Sequence, residues 1–192
     1  MLRKKIVSLI LITLTISIAF YFMSCLKPLS ESYTDETAGF NGGFETLQKN
    51  LPVNWMMYTP KTVSSSEFEL SMDSTFKKEG RYALHFLVKT CSAKGGHLSP
   101  GMAKEIEVQA GETYYISMWV YNKSATYRIA LSGVNAKHIA DKKEIESSEA
   151  TPDWKQIEME FKIPSHMNTL RLEFNVVQPG ECWVDEITIR KK

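Results

Sequence analysis

Strict two-residue alternation is the feature that most limits how this chain can fold. In Glu67-Phe68-Glu69-Leu70-Ser71-Met72-Asp73 the apolar residues Phe68, Leu70 and Met72 fall on one side, as a strand buried on one face requires. Tyr82-Ala83-Leu84-His85-Phe86-Leu87-Val88 repeats the pattern through Tyr82, Leu84, Phe86 and Val88. Further strand-like runs lie at 105–109, 113–121, 127–131, 156–163, 169–177 and 183–189. Turn signals punctuate them, among them Lys78-Glu79-Gly80, Lys94-Gly95-Gly96, Ser99-Pro100-Gly101, Pro152-Asp153 and Pro179-Gly180. No segment holds an uninterrupted 3.6-residue apolar period, and only 136–150 leaves room for one short helix. The pattern predicts an all-β sandwich, because two sheets closed face to face bury one side of every strand.

The first 25 residues read as an address. Arg3, Lys4 and Lys5 precede an uncharged run, 6–23, whose polar members are Ser8, Thr13, Thr15 and Ser17. A basic start, an apolar stretch and a small residue before a break make a secretory signal. Phe22-Met23-Ser24-Cys25 resembles a bacterial lipobox, in which the Cys thiol is acylated and becomes the new N-terminus. Phe22 stands where that motif usually carries an aliphatic residue. An uncleaved anchor is the alternative, since about 18 apolar residues is near the minimum for a span. Both readings put the body outside the cytoplasm and tie it to a membrane. Leu26 after Cys25 points to the outer membrane of a Gram-negative cell, by resemblance to sorting rules. The expected organisation is a signal at 1–24, an acylated Cys25 with a polar tether at 25–39, and one folded domain at 40–192.

Composition narrows function by exclusion. The chain has 23 basic and 22 acidic side chains for a net +1. Three of the basic groups sit in the signal, so the body is near neutral and lacks the dense basic face that nucleic acid demands. Three cysteines are too few for a disulfide scaffold; Cys91 and Cys182 could pair or remain two thiols. His85, His97, His138 and His166 are scattered without metal-ligand spacing, and no nucleophile motif is present. Asp185-Glu186 alternate across a strand and cannot flank one glycosidic bond. The chain reads as non-catalytic. Asn122-Lys123-Ser124 carries no glycosylation meaning in a bacterial chain.

An ordered set of short motifs then suggests a family. These are Asn41-Gly42-Gly43-Phe44-Glu45, Pro52-Val53-Asn54-Trp55, Lys78-Glu79-Gly80-Arg81-Tyr82-Ala83-Leu84, the run 110–120, Trp154 with Phe161, and Gly180-Glu181-Cys182-Trp183-Val184-Asp185-Glu186-Ile187. Together they resemble the carbohydrate-binding modules of families 4, 9 and 22, jelly rolls of the galactose-binding-like type. The resemblance implies a structural calcium held by the Glu45 and Asp185 carboxylates and by backbone carbonyls near Lys78 and Arg81, a donor set suited to a hard cation. It also implies that Tyr114, Ile116, Met118 and Val120 face the core, which turns Tyr115, Ser117, Trp119 and Tyr121 outward.

Three outward aromatics, Tyr115, Trp119 and Tyr121, suit the apolar faces of pyranose rings. The same parity turns Arg171, Glu173 and Asn175 outward, with Arg128 in the equivalent position on its strand. Aromatics flanked by such groups predict one sugar cleft; the alternative is that a neighbouring loop covers the aromatics as a second small core. Trp55, Trp154 and Trp183 are expected to pack inside. The expected function is a membrane-anchored, extracytoplasmic lipoprotein that binds an oligo- or polysaccharide without catalysis. A structural or adhesive envelope protein, using the jelly roll for protein contacts, is the alternative.

Overall fold

A computed structural model describes residues 28–134 and 141–192. Thirteen strands follow in order: β1 Glu31–Ser32, β2 Leu47–Gln48, β3 Leu51–Pro52, β4 Met56–Tyr58, β5 Glu67–Asp73, β6 Ala83–Thr90, β7 Gly101–Glu107, β8 Thr113–Asn122, β9 Thr126–Gly133, β10 Lys142–Ser147, β11 Lys155–Lys162, β12 Thr169–Gln178 and β13 Gly180–Lys191. Among the described residues no helix is long and apolar enough to cross a membrane. Six strands form one sheet in the order β1-β4-β7-β12-β9-β10, and five form another in the order β11-β8-β13-β6-β5. The chain is all-β, and its two large sheets close into the predicted sandwich.

The core is the inward set that alternation predicts. Leu84 and Phe86 from β6, Ile116, Met118 and Val120 from β8, and Cys182 and Val184 from β13 line one inner face. Met57, Met102, Tyr127, Ile129, Leu131, Leu170, Leu172, Phe174 and Val176 line the other. Phe86 and Phe174 meet across the sandwich at 5.6 Å between ring centroids. Trp55 closes one end, its indole N–H bonded to the Asn41 carbonyl at 2.9 Å.

Three sequence expectations change. The window 136–150 contributes β10, not a helix, while 135–140 lie outside the described residues. Its sequence Lys-Lys-Glu-Ile-Glu-Ser has one apolar residue, because this edge strand exposes most of its side chains. The expected tether is already part of the fold from Glu31, where β1 pairs with Met56 and Met57. Trp183 is buried, but on the outer face of its sheet beside a half-buried Trp154, not in the core between the sheets. Cys91 and Cys182 are free thiols. Cys25 and the signal lie outside the described residues.

Candidate functional site

The residues expected to form one cleft lie on opposite faces of the molecule. Tyr115, Trp119 and Tyr121 sit on β8, in the five-stranded sheet, and Arg128, Arg171, Glu173 and Asn175 sit on β9 and β12, in the six-stranded sheet. Both sets point outward, so the whole core separates them. Alternation shows which side of a strand is buried but not which sheet the strand joins.

On the five-stranded face the aromatics are already partnered. Lys78 Nζ lies 4.0 Å from the Trp119 ring centroid, and the Arg190 guanidinium lies 4.8 Å from that of Tyr115. Tyr121 packs against Phe76 at 4.7 Å and against Trp183 at 5.6 Å, while Phe76 stacks on Trp154 at 5.6 Å. His85 stacks on the other side of Trp183 at 4.3 Å. The loop 74–82 therefore lays Phe76 and Lys78 over these rings. Asp73 positions it, accepting from the N–H groups of Thr75 and Phe76 and from the Trp183 indole N–H at 3.0 Å. The geometry matches the second-core alternative better than an open sugar platform.

The six-stranded face carries a polar network. Arg171 donates through Nε to Glu173 at 3.0 Å, through Nη1 to Glu105 at 3.0 Å and through Nη2 to the Tyr58 hydroxyl at 2.6 Å. The Tyr58 hydroxyl donates in turn to Glu173 at 2.8 Å. Burial and the Glu173 carboxylate push the Tyr58 phenol well above its ordinary pKa, so it remains a neutral donor. Burial opposes the Arg171 charge, but Tyr58 and Glu173 outweigh it and raise the guanidinium's pKa. Arg128 makes two bonds to Glu146, at 3.0 and 2.7 Å. Asn175 is 3% exposed: its amide grips both backbone groups of Gly96 and fixes the turn before β7. That turn leaves Leu98 43% exposed at the rim.

Register turns these contacts into a surface. Met56, Ala103, Glu173, Ala130 and Glu144 form one outward row across five strands. Its middle is low, because two alanines flank Glu173. Glu105, Arg171, Ser132 and Lys142 form the row on one side, and Tyr58, Gly101, Asn175, Arg128 and Glu146 the row on the other. These flanking rows stand about 13 Å apart, four residues along the strand. Tyr58, Glu105 and Glu146 escaped the sequence reading: β4 is too short to show alternation, and the other two look like ordinary surface acids.

The end expected to hold calcium is closed by hydrogen bonds. Glu45 accepts from the N–H groups of Arg81 and Tyr82 at 2.7 and 3.1 Å and pairs with Arg81 Nε at 3.0 Å. Asp185 accepts from the N–H groups of Lys78, Glu79 and Glu186. Lys78 and Arg81 thus turn their backbone N–H groups toward the two carboxylates, and the Arg81 side chain supplies a cation beside Glu45. Among the described residues no three acidic or other ligand side chains are grouped to hold a metal ion. The hard-oxygen chemistry suits calcium, but this arrangement does not fit it.

Two antiparallel sheets packed face to face define a β-sandwich of the jelly-roll class. The chain belongs to the carbohydrate-binding domain family CBM_4_9, whose model matches residues 38–180. Among solved structures, a family 4 carbohydrate-binding module (CBM4) aligns at 14% identity over 79% of this chain and 98% of its own, with a TM-score of 0.57. The CBM22-1 xylan-binding domain from Paenibacillus barcinonensis Xyn10C aligns at 14% identity over 78% and 91%, TM-score 0.55. A cyclase from Fischerella sp. TAU aligns at 14% identity over 79% and 94%, TM-score 0.56. At these identities the likeness is one of fold, which hosts more than one activity. No curated protein matches the sequence significantly.

Proposed function

We propose that this protein is an extracytoplasmic lipoprotein, anchored through Cys25, that holds a glycan on the outer face of its six-stranded sheet without transforming it. The observation that carries the choice of face is the Arg171 side chain, 26% exposed and fixed by Glu105, Glu173 and Tyr58. Donors ordered before binding lose little freedom when a sugar hydroxyl arrives, and charge-assisted hydrogen bonds are the stronger kind. Arg171, Glu173, Glu105, Arg128 and Glu146 contact the glycan in this reading, while Tyr58 and Asn175 position them. Leu98 offers apolar contact at the rim. Membership in a carbohydrate-binding family supports the ligand class. The xylan-binding neighbour makes xylan the first polymer to try.

Titration calorimetry against a panel of soluble glycans that includes xylan tests this reading. Arg171→Ala is expected to weaken binding about tenfold or more, the scale of one charged hydrogen bond to ligand. Trp119→Ala is expected to leave affinity within about twofold, as a residue outside the contact surface should. The reverse ranking would move the site to the five-stranded face, and no binding to any glycan would refute the function.

A further inference from the structure

Two loops cross between the sheets at one corner of the sandwich. Loop 59–66 carries the chain from β4 to β5, and loop 91–100 carries it from β6 to β7. They meet the six-stranded sheet side by side, where Tyr58 pairs with Gly101. The chain also enters the fold here. Glu31 pairs with Met57 in antiparallel register, and its carboxylate accepts from the Thr59 hydroxyl and from Lys61. Residues 28–30 therefore run beside the start of loop 59–66.

The side chains at this corner are of two kinds. Among the described residues three large apolar side chains are exposed, and two of them, Leu29 at 64% and Leu98 at 43%, stand here. The third, Phe76, packs against Tyr121 and Trp154 on the outer face of the other sheet. Segments 28–30, 59–66 and 92–99 carry Lys61, Lys94 and His97, all exposed, and no carboxylate. The acids that border these segments are already paired, Glu31 with Lys61 and Glu67 with Lys89. Two leucines are far too little for a protein interface, which takes roughly 800 Å² from each partner. Apolar side chains flanked by lysines suit a phospholipid surface, which takes the first into its acyl boundary and the second at its phosphates.

We propose that this corner is seated on the phospholipid surface, with Leu29 and Leu98 at the acyl boundary and Lys61 and Lys94 at the headgroup phosphates. The inference rests on the anchoring through Cys25 proposed above and goes beyond it. A tether alone leaves the body free to swing, whereas a seated corner fixes its orientation. Cys25 lies four residues before Leu29, a reach of about 14 Å at full extension, so the anchor holds this corner at the lipid and no other. The six-stranded face then stands upright from the membrane. Its row of Tyr58, Asn175, Arg128 and Glu146 lies nearest the lipid, and the row of Glu105 and Arg171 lies farther out. Leu98 borders both the lipid and the nearer row.

The test uses the full chain, purified from membranes in detergent and reconstituted into vesicles of phosphatidylglycerol and phosphatidylcholine. A fraction of the lipid carries a diazirine in its acyl tail, so photolysis marks only side chains that reach the acyl boundary, and mass spectrometry of the peptides locates the adducts. Adducts are expected in 28–30, 59–66 and 92–99 and not in 108–112 or 163–168, at the far end of the strands. A Leu29→Ser, Leu98→Ser double variant keeps the anchor and changes two exposed positions. It should lower the labelling of 59–66 about tenfold, since moving one leucine out of an apolar phase costs at least that factor. Equal labelling of both ends in the wild type, or labelling of 59–66 that persists in the double variant, overturns the proposal. Protein that floats with the vesicles but takes no label keeps the anchor and loses the seated corner. If the protein does not float with the vesicles at all, the anchoring falls and the seated corner falls with it.

Discussion

Asn122 ends β8 in a position no solvent reaches, with a relative exposure of 0%. Its amide donates to the Ala125 and Glu149 carbonyls at 2.9 Å each, and its oxygen accepts from the Ala125 N–H at 2.9 Å. One side chain therefore satisfies three backbone groups at the corner where the chain leaves β8 for β9. Buried backbone groups left without partners are expensive, about 1–3 kcal/mol each. Asn122→Ala is expected to lower the unfolding free energy by about 3 kcal/mol, partly offset by relaxation of the corner. Urea denaturation reads this directly, and a loss under about 0.5 kcal/mol would show that water replaces the amide. Gly42 is constrained in a different way: an added Cβ would lie 1.8 Å from the Ile187 carbonyl oxygen, so backbone approach itself excludes a side chain there.

The loop 74–82 shows the same logic at the scale of an element. It has no strand pairing, yet three carboxylates hold its backbone: Asp73 at the start, Asp185 at Lys78 and Glu79, and Glu45 at Arg81 and Tyr82. Their protonation pulls in two directions. Burial pushes the Asp185 carboxyl up to about 6, against the N–H groups that bond it. Its folded form binds a proton more readily than the unfolded chain, so stability rises as pH falls from neutral through about 6. Burial also opposes the charge of Asp73 and Glu45, but the N–H groups of Phe76 and of Arg81 lead the donors that outweigh it and lower both. Their contribution is present above the ordinary values, 3.8 and 4.5, and is lost as pH falls through the lowered ones. The melting temperature should therefore pass through a maximum on the acid side of 6 and fall below 3.8. Asp185→Asn is expected to flatten the upper limb, and Asp73→Asn to weaken the lower one and loosen Phe76 from Tyr121 and Trp183. A wild-type profile that is level between neutral pH and 4.5 would contradict the assignment to Asp185.

At the scale of the whole molecule, what the sequence made legible was parity, and what it hid was assembly. Phe68, Leu84, Ile116 and Leu172 all declare their buried side through their polar neighbours. Nothing local in β8 or β12 says that they belong to different sheets, so Trp119 and Arg171 looked like parts of one cleft. The N-terminal boundary was hidden for a related reason. Glu31-Ser32 is polar and only two residues long, and what docks it lies elsewhere in the chain: Asn54 bonds the Asp35 and Gly39 carbonyls at 2.7 and 2.9 Å, and the Thr59 hydroxyl bonds Glu31 at 2.5 Å. A domain that begins at Glu31 and not at Phe40 has a consequence for the proposed anchor. Five residues, 26–30, then separate Cys25 from the fold, a reach of about 17 Å at full extension. The β1 edge would be held close to the lipid, and the proposed glycan surface would start there. Two measurements check this. Cys25→Ser is expected to abolish incorporation of labelled fatty acid into the protein, and labelling that persists in the variant would refute lipid anchoring through that residue. A chain starting at residue 40 is expected to be less stable by about 2–4 kcal/mol in urea than one starting at residue 28, through lost hydrogen bonds to Asn54 and Thr59. Equal stability would return 28–39 to the role of a free tether and let the sandwich stand farther from the membrane.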